Sequence, residues 1–367
     1  MRNSYFKILI VALIIATIGV ISIYSSTYQK QGKPWEDIYK RQILWIIIGL
    51  ICFAFISNLH YRRLCDWTYI LYAVVIIFLL LVLGLGLVRM GAQRWLRIGG
   101  FNFQPSEFAK IIIIIFLARY FSRKSASDIS ILTGKFGILR GIIFPFMFVA
   151  LPAAMIIEQP DLGSGMIILL VFMTLMYLTG VKLRYIIMFF FIFILPVPFL
   201  WNFLHDYQKQ RLLVFINPNI DPLGAGYTVI QSKIAIGSGW FFGKGWLSGT
   251  QSQLHFLPES HTDFIFATFA EEWGFLGCVV LLLLYFIIIR WGFVIAQRTN
   301  DFFGKLLASG IALMFSIQVF VNIAMNMGLA PVVGIPLPLM SYGGSSVLAT
   351  FIALGILVNI DRTRAVF

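Results

Sequence analysis

The chain has 367 residues, of which 60% are hydrophobic and only 12% are charged, and its mean hydropathy is +0.90. Because soluble domains carry roughly 45–50% apolar and about 25% charged residues, this composition excludes soluble globular, disordered and disulfide-rich secreted proteins and indicates a multi-pass membrane protein. We attribute the net charge of +13 to loop lysines and arginines at an anionic membrane surface rather than to binding of nucleic acid.

Apolar runs of membrane-spanning length recur along the whole chain. A hydrocarbon core about 30 Å thick needs roughly 20 apolar residues per helix, which gives about ten segments here. They centre on 8–25, 43–57, 68–88, 106–121, 141–159, 164–180, 185–201, 274–296, 305–328 and 343–360. The first is interpreted as a retained signal anchor. The prediction is an all-α integral membrane protein with residues 1–367 in a single polytopic membrane domain.

The distribution of basic residues predicts the orientation. With an even number of crossings, both termini lie on one side. Most of the 28 lysines and arginines then fall in the short loops on the side of the termini. The positive-inside rule therefore places both termini in the cytoplasm.

The first polar constellation lies at 91–110, ahead of and within the fourth predicted helix. Glu107 opens this helix and Lys110 follows one turn later, so an internal ion pair is the simplest interpretation. Arg94 precedes them in an outside loop, beside Trp95. The alternative is that these cations bind an anionic lipid head group arriving from the outer leaflet, because guanidinium and ammonium groups bind phosphates.

A tight outside turn is predicted at 158–165, between the fifth and sixth helices, from a proline and the glycines that follow it. Glu158 and Asp161 lie on either side of this proline. They have the chemistry to bind a metal or to cap the sixth helix, and capping is the preferred interpretation for Asp161.

The loop 202–262, between helices seven and eight, is too short for an independent core. Its aromatic and apolar stretch 227–247 is interpreted as interfacial or re-entrant backbone, with a plain connecting loop as the alternative. The repeated glycines of this stretch argue against a long regular helix and allow the backbone to approach a ligand closely.

Acidic residues follow this loop, just ahead of the eighth helix. Ser260 or Thr262 can cap that helix, which places Asp263 in its first turn, flanked by Phe264 and Phe266. A helix N-terminus stabilises the carboxylate, whereas apolar neighbours raise its pKa. This combination suits a general base acting on a sugar hydroxyl. The alternative is an ordinary carboxylate at a helix N-terminus.

The run 327–346, between helices nine and ten, contains three prolines and no charged residue. Irregular backbone at membrane depth is tolerated only inside protein or along a cavity. The hydroxyl groups of Ser341, Tyr342, Ser345 and Ser346 are available to a polar ligand. A purely structural turn is an equally good interpretation.

Four motifs carry a resemblance to a known family. They are QPSEFAK at 104–110, QPDLGSG at 159–165, GKGWLSGTQSQLHFLPESHTDFIFA at 243–267 and PVVGIPLPLMSYGGSS at 331–346. With them the chain resembles the SEDS family (shape, elongation, division, sporulation) of bacterial cell-wall proteins, and its RodA-type elongation branch more than its division branch. The resemblance covers nearly the whole chain. It implies a SEDS-type bundle of ten helices in the bacterial cytoplasmic (inner) membrane, with a large extracytoplasmic loop between helices seven and eight.

The resemblance also implies an activity. SEDS proteins are peptidoglycan glycosyltransferases that polymerise lipid II into glycan strands at the outer face of the membrane. The growing strand is carried on undecaprenyl diphosphate, a class B penicillin-binding protein is the expected partner, and other elongation-complex proteins and membrane lipid are expected neighbours. The essential aspartate of the family falls on Asp263, the expected general base. The paired Glu and Lys fall on Glu107 and Lys110.

We expect the substrate-binding residues to be Arg94, Trp95, Glu107, Lys110, Gln159, Asp161, Lys233, His261, Ser341 and Tyr342. The sequence assigns no residue as a metal ligand. The cofactor considered is a divalent cation, Mg²⁺ or Mn²⁺. The rival functions are a lipid II flippase or transporter, a non-enzymatic scaffold for the penicillin-binding protein, and the division or sporulation paralogue of the same family. Neither the flippase nor the scaffold needs a carboxylate at position 263.

Overall fold

The computed structural model describes residues 2–29, 37–89, 92–99, 101–125, 139–194 and 206–363. The helices are α1 (Arg2–Thr27), α2 (Ile38–Asn58), α3 (Arg62–Leu85), α4 (Pro105–Ser125), α5 (Phe144–Glu158), α6 (Leu162–Leu178), α7 (Leu183–Ile194), α8 (Asp206–Ile216), α9 (Ala225–Ser238), α10 (Thr250–Gln253), α11 (Ile265–Arg298), α12 (Phe302–Asn326) and α13 (Gly344–Thr363). A π-helical turn, Leu139–Ile143, precedes α5, and a 3₁₀ turn, Pro218–Ile220, follows α8.

The predicted helical membrane bundle is confirmed. Within the described ranges, seven helices are long and apolar enough to cross a membrane: α1, α2, α3, α5 with its preceding turn, α11, α12 and α13. The other three predicted segments fall on α4, α6 and α7. Helix α4 carries several charged residues, α6 has 17 residues, and α7 is described for 12. Residues 195–201 of the seventh segment lie outside the described residues, so the number of ten crossings stays a prediction.

A small antiparallel sheet replaces the loop that was expected between α3 and α4. Its strands are β1 (Leu87–Arg89), β2 (Ala92–Ile98) and β3 (Phe101–Phe103), in the order β1-β2-β3. Trp95 pairs with Leu87 in the first ladder. Since successive side chains of a strand point to opposite faces, Arg94 and Trp95 face in opposite directions.

Contacts along α2 define the two ends of the bundle. At one end, Asn359 of α13 donates a hydrogen bond to Ser57 O at 3.1 Å, and the ring of Tyr5 contacts the same end of α2. At the other end, Gln42 donates a hydrogen bond to Ser341 O at 3.1 Å. The start of α1 and the end of α13 therefore lie on one face of the bundle, opposite the face that holds residue 341.

Helix α11 is broken at Gly274, whose backbone has φ 65° and ψ −166°. The break leaves backbone N–H and C=O groups on both sides without partners inside the helix, and residues 240–245 form hydrogen bonds with them. The four hydrogen bonds are Lys244 N to Glu271 O (3.0 Å), Gly245 N to Glu272 O (3.0 Å), Phe275 N to Trp240 O (2.9 Å) and Leu276 N to Phe241 O (3.1 Å). The residues before the break form a half-helix, 265–273, which is tied to the preceding loop rather than continuing straight into the long apolar half.

The structure corrects two expectations for 227–247. First, most of this stretch up to Ser238 belongs to the regular helix α9, which packs on α11 through a small apolar cluster that includes Ala235 and Ala267. Second, two of the glycines, Gly239 and Gly243, approach the protein's own backbone. A Cβ on Gly239 would collide with Ala270 O, and one on Gly243 with Glu272 O. At these two positions, the close approach predicted for a ligand is made instead by the half-helix of α11.

Gly274→Ala tests the break in α11. We expect a marked loss of thermal stability, because the backbone conformation at 274 costs a residue with a Cβ about 1–3 kcal/mol and the new Cβ would collide with Gly243 N. Gly84→Ala in α3 is the matched control, since no atom lies within 4 Å of its Cβ position. Thermal unfolding of the purified proteins in detergent is the measurement, and equal stabilities of the two variants would contradict the expectation.

Candidate active site

Asp263 lies immediately before α11, at the end of the bundle opposite the start of α1 and the end of α13. The expected capping arrangement is wrong in detail: α11 begins at Ile265, its N-cap is Phe264, and Phe264 makes no side-chain capping bond. Thr262 Oγ1 instead donates to the carboxylate of Glu259 at 2.9 Å. Asp263 is therefore placed by contacts from other elements rather than by the first turn of its own helix.

Two buried asparagines of α12 hold the backbone of Asp263. Asn322 Nδ2 and Asn326 Nδ2 donate to Asp263 O at 3.1 and 3.0 Å. Asn326 Oδ1 also accepts a hydrogen bond from Ala267 N at 3.2 Å, which caps the half-helix from outside. Sequence reasoning missed this pair. The available signal was two asparagines at i and i+4 in a mainly apolar helix, a spacing that puts them on one face.

The irregular segment between α12 and α13, predicted from its prolines, supports the residues before Asp263. Ser341 Oγ donates to Thr262 O at 2.7 Å and accepts from Leu337 N at 2.8 Å. Tyr342 N donates to His261 O at 2.9 Å, and the two rings are 5.9 Å apart. Buried Ser341 thus serves the protein's own backbone. Substrate contacts by His261, Ser341 and Tyr342 stay predictions.

The groups around Asp263 shift its pKa in opposite directions. Burial raises the pKa of Asp263 to about 6, and the negative charges of Glu259 and Asp161 act in the same direction. The positive charges of Arg94 and Arg211 lower it. The side chain is therefore a carboxylate at neutral pH that accepts a proton more readily than an exposed aspartate does.

A glycine keeps open the space between Asp263 and Arg94. A Cβ on Gly334, whose φ is +71°, would lie 3.4 Å from a guanidinium nitrogen of Arg94 and 3.5 Å from Asp263 Oδ2. The guanidinium of Arg94 donates hydrogen bonds to the carbonyl oxygens of Gln159 and Pro160, which fix its orientation. The side chain of Gln159 itself is occupied by a hydrogen bond to α3.

Asp161 caps α6, as predicted: its Oδ1 accepts from Ser164 N at 3.2 Å. Its Oδ2 accepts from Ser106 Oγ at 3.0 Å and from Gln104 Nε2 at 3.4 Å. Ser106 and Gln104 link the start of α4 to the turn that holds Arg94, and neither was singled out from the sequence. A role of Asp161 in substrate binding stays a prediction.

The predicted ion pair of α4 is present. Lys110 Nζ and Glu107 Oε1 are 2.7 Å apart, and both side chains are almost completely buried. Lys233 lies on the exposed surface of α9, with its ammonium group over Gly328. The described contacts bring Arg94 to Asp263, whereas they do not link Trp95, Glu107, Lys110 or Lys233 to it. The substrate roles of these four residues stay predictions.

The described residues do not form a complete metal-binding site. Among them, no group of three or more His, Cys, Asp and Glu side chains is arranged to hold a metal ion. Asp161, one of the two carboxylates considered for this role, already accepts hydrogen bonds from three donors. A divalent cation near Asp263 would have to take further oxygen ligands from substrate phosphates, as Mg²⁺ commonly does. The cation stays a prediction, and its ligands are not assigned.

Comparisons with known proteins agree with the resemblance drawn from the motifs. The FtsW/RodA/SpoVE family model, described as cell cycle protein, matches residues 5–366. The chain is 41% identical to the peptidoglycan glycosyltransferase MrdB of Escherichia coli, over 97% of this chain and 93% of that protein. Relatives named for sporulation and for the FtsW branch match at 36% identity.

Solved structures share the fold. A chain from a peptidoglycan synthase complex, in which polymerisation and crosslinking are coordinated, matches with a TM-score of 0.81 and 31% identity, covering 98% of both chains. The rod shape determining protein RodA of Thermus thermophilus matches with a TM-score of 0.71 and 26% identity, over 98% of this chain and 97% of that one. The chain therefore belongs to the FtsW/RodA/SpoVE family, the SEDS proteins.

Proposed function

We propose that this protein is a peptidoglycan glycosyltransferase of the elongation branch, which polymerises lipid II into glycan strands with Asp263 as the general base. The observation that carries the proposal is a half-buried carboxylate, with a pKa of about 6, facing an arginine across the space left open by Gly334. Catalytic bases work best when their pKa lies near the operating pH.

In the proposed reaction, the acceptor sugar hydroxyl of one lipid-linked substrate attacks the anomeric carbon of another. Asp263 takes the hydroxyl proton as the new carbon–oxygen bond forms. The bond from the anomeric carbon to undecaprenyl diphosphate breaks, and its electron pair leaves with the diphosphate, so the configuration is inverted. The backbone bonds from Asn322 and Asn326 leave the carboxylate of Asp263 available for this proton transfer.

Arg94 is suited to stabilise the leaving diphosphate. Its guanidinium is already oriented by two backbone carbonyls and faces the space beside Asp263. Cations that are in place before the reaction stabilise developing charge without a cost of reorganisation at that moment. Lys110 was expected to share this role, and in the structure its ammonium is paired with Glu107.

The proposed orientation places both termini in the cytoplasm and Asp263 at the extracytoplasmic surface of the bacterial membrane. Two arguments support it: the positive-inside bias of the short loops, and the location of Asp263 on the face opposite the start of α1 and the end of α13. The proposed partner is a class B penicillin-binding protein, which would crosslink the strands. The relative of known structure in a peptidoglycan synthase complex supports an assembly of this kind.

Asp263→Asn tests the base. We expect polymerisation of labelled lipid II by the purified protein to fall by at least about 10²-fold, the lower range for loss of a general base. Abundance and elution in detergent should match those of the wild type, because asparagine preserves the size of the side chain. Assays with and without the class B partner are scored for glycan strands on gels, and retained polymerisation would refute the assignment.

The same variant separates the polymerase from a flippase. A flippase does not use the proton transfer at Asp263, so its lipid II translocation in proteoliposomes should persist in Asp263→Asn. The polymerase proposal expects glycan strands from the wild-type protein and none from the variant. Translocation by both proteins without strands from either would favour the flippase.

The pH dependence gives an independent test. Since Asp263 must be deprotonated to act, kcat/KM should fall as the pH drops through about 6. Glu259 raises the pKa of Asp263, so Glu259→Gln should move this acidic limb to lower pH while retaining an acceptor for Thr262. Initial rates between pH 5 and 8 provide the measurement. A limb that moves to higher pH, or not at all, would contradict the assignment.

A further inference from the structure

Arg119, in α4, lies at the end of the bundle that holds the start of α1 and the end of α13, since α3 begins next to the end of α2 that contacts α13. Its guanidinium donates hydrogen bonds to Cys65 O and, at 3.3 Å, to Asp66 O, both in the first turns of α3. The ring of Tyr69 covers the same group, with the guanidinium carbon 4.3 Å from the ring centroid. Arg119 is only 6% exposed, and its Nε has no hydrogen-bond partner.

The positive charge of Arg119 is not neutralised by an acidic side chain in the part of the chain that the structure describes, where the ion pairs involve other residues. Two acidic residues lie in this region, Asp66 and Asp301. Asp66 contacts Arg119 through its backbone carbonyl, and the carboxylate of Asp301 accepts hydrogen bonds from Tyr61 Oη at 2.9 Å and Gly304 N at 3.0 Å. Because a buried charge is costly unless it is paired, this guanidinium is suited to an anion from outside the chain.

The surface around Arg119 is basic and aromatic. Arg123 follows at i+4 in α4, on the same face, and its charge acts on Cys65 as that of Arg119 does. Trp67 and Tyr69 of α3 are more than half exposed, and aromatic side chains of this kind settle at membrane–water interfaces. Exposed side chains change rotamer on a picosecond-to-nanosecond timescale, so the ring of Tyr69 can turn aside and admit a ligand to the guanidinium.

We propose that Arg119 and Arg123 form a site for the phosphate of an anionic phospholipid of the inner leaflet, with Tyr69 as its movable cover. A guanidinium binds phosphate through paired donors, and Nε of Arg119 is a donor still without an acceptor. Basic pockets between membrane helices on the cytoplasmic side bind anionic head groups in other proteins. A phospholipid is favoured over a dissolved phosphate because its acyl chains can lie along the exposed apolar surface of α3, which begins at Ile70. The assignment to the inner leaflet rests on the proposed orientation, whereas the binding itself does not.

Thermal unfolding with added lipid tests the site without lipid II or turnover. Because a ligand that binds only the folded protein raises its unfolding temperature, phosphatidylglycerol should stabilise the purified protein in detergent, and zwitterionic phosphatidylcholine should not. We expect Arg119→Gln to lose most of this increment. Arg63→Gln is the matched control, since it removes an exposed positive charge from the start of α3 and should retain the increment.

Two results of this experiment would overturn the proposal. If Arg119 only ties α3 to α4, Arg119→Gln loses the same stability with either lipid and keeps the full increment from phosphatidylglycerol. If Arg63→Gln loses the increment as completely as Arg119→Gln does, the lipid is attracted by surface charge in general and not by a site at Arg119.

Two further arms identify the ligand and the binding group. Inorganic phosphate that stabilises the wild type as much as phosphatidylglycerol does, and fails to stabilise Arg119→Gln, would show a site for a dissolved anion and refute the lipid assignment. Arg119→Lys serves if the glutamine variant does not fold, because lysine keeps the charge and loses the paired donors. We expect its affinity for phosphatidylglycerol, titrated by native mass spectrometry, to be about tenfold weaker, and an unchanged affinity would contradict binding through the guanidinium.

Discussion

The hydrogen bonds from Asn322 and Asn326 to the carbonyl oxygen of Asp263 are the constraint on which the site depends. A buried carbonyl left without a partner costs about 1–3 kcal/mol, so the two amides strongly favour one backbone position at residue 263. Asn326 also caps the half-helix that follows. One face of α12 thereby sets both the position of the carboxylate and the direction of the chain that leaves it.

With the backbone held in this way, the carboxylate of Asp263 is left to respond to its surroundings. Burial and the charge of Glu259 favour its protonated form, whereas Arg94 and Arg211 favour the anion. The result is a group that changes charge close to neutral pH. If only burial acted, the pKa of Asp263 would be higher, and less of it would be ionised at neutral pH. If only the arginines acted, it would hold its proton too weakly to serve as an efficient base.

Features that depend on local sequence could be predicted, and those that depend on distant contacts could not. Hydropathy located the helices, and the spacing of Glu107 and Lys110 indicated their ion pair, because both follow from periodicity along one segment. The Gly239 and Gly243 contacts with α11 required knowledge of a neighbour some 30 residues away in the chain. The contacts of the α12 amide pair with Asp263 and the sheet that carries Arg94 likewise arise only when separate segments meet.

The glycine break in α11 has a mechanical consequence. Membrane-spanning helices tilt to match the thickness of the surrounding bilayer, and an unbroken α11 would transmit that tilt along its axis to the carboxylate at its beginning. At the break, residues 240–245 instead form backbone hydrogen bonds with both halves, with Glu271 and Glu272 on the short half and with Phe275 and Leu276 on the long half. A tilt of the long half therefore reaches Asp263 through the bend at Gly274 and through this shared loop, and not along one continuous helix axis.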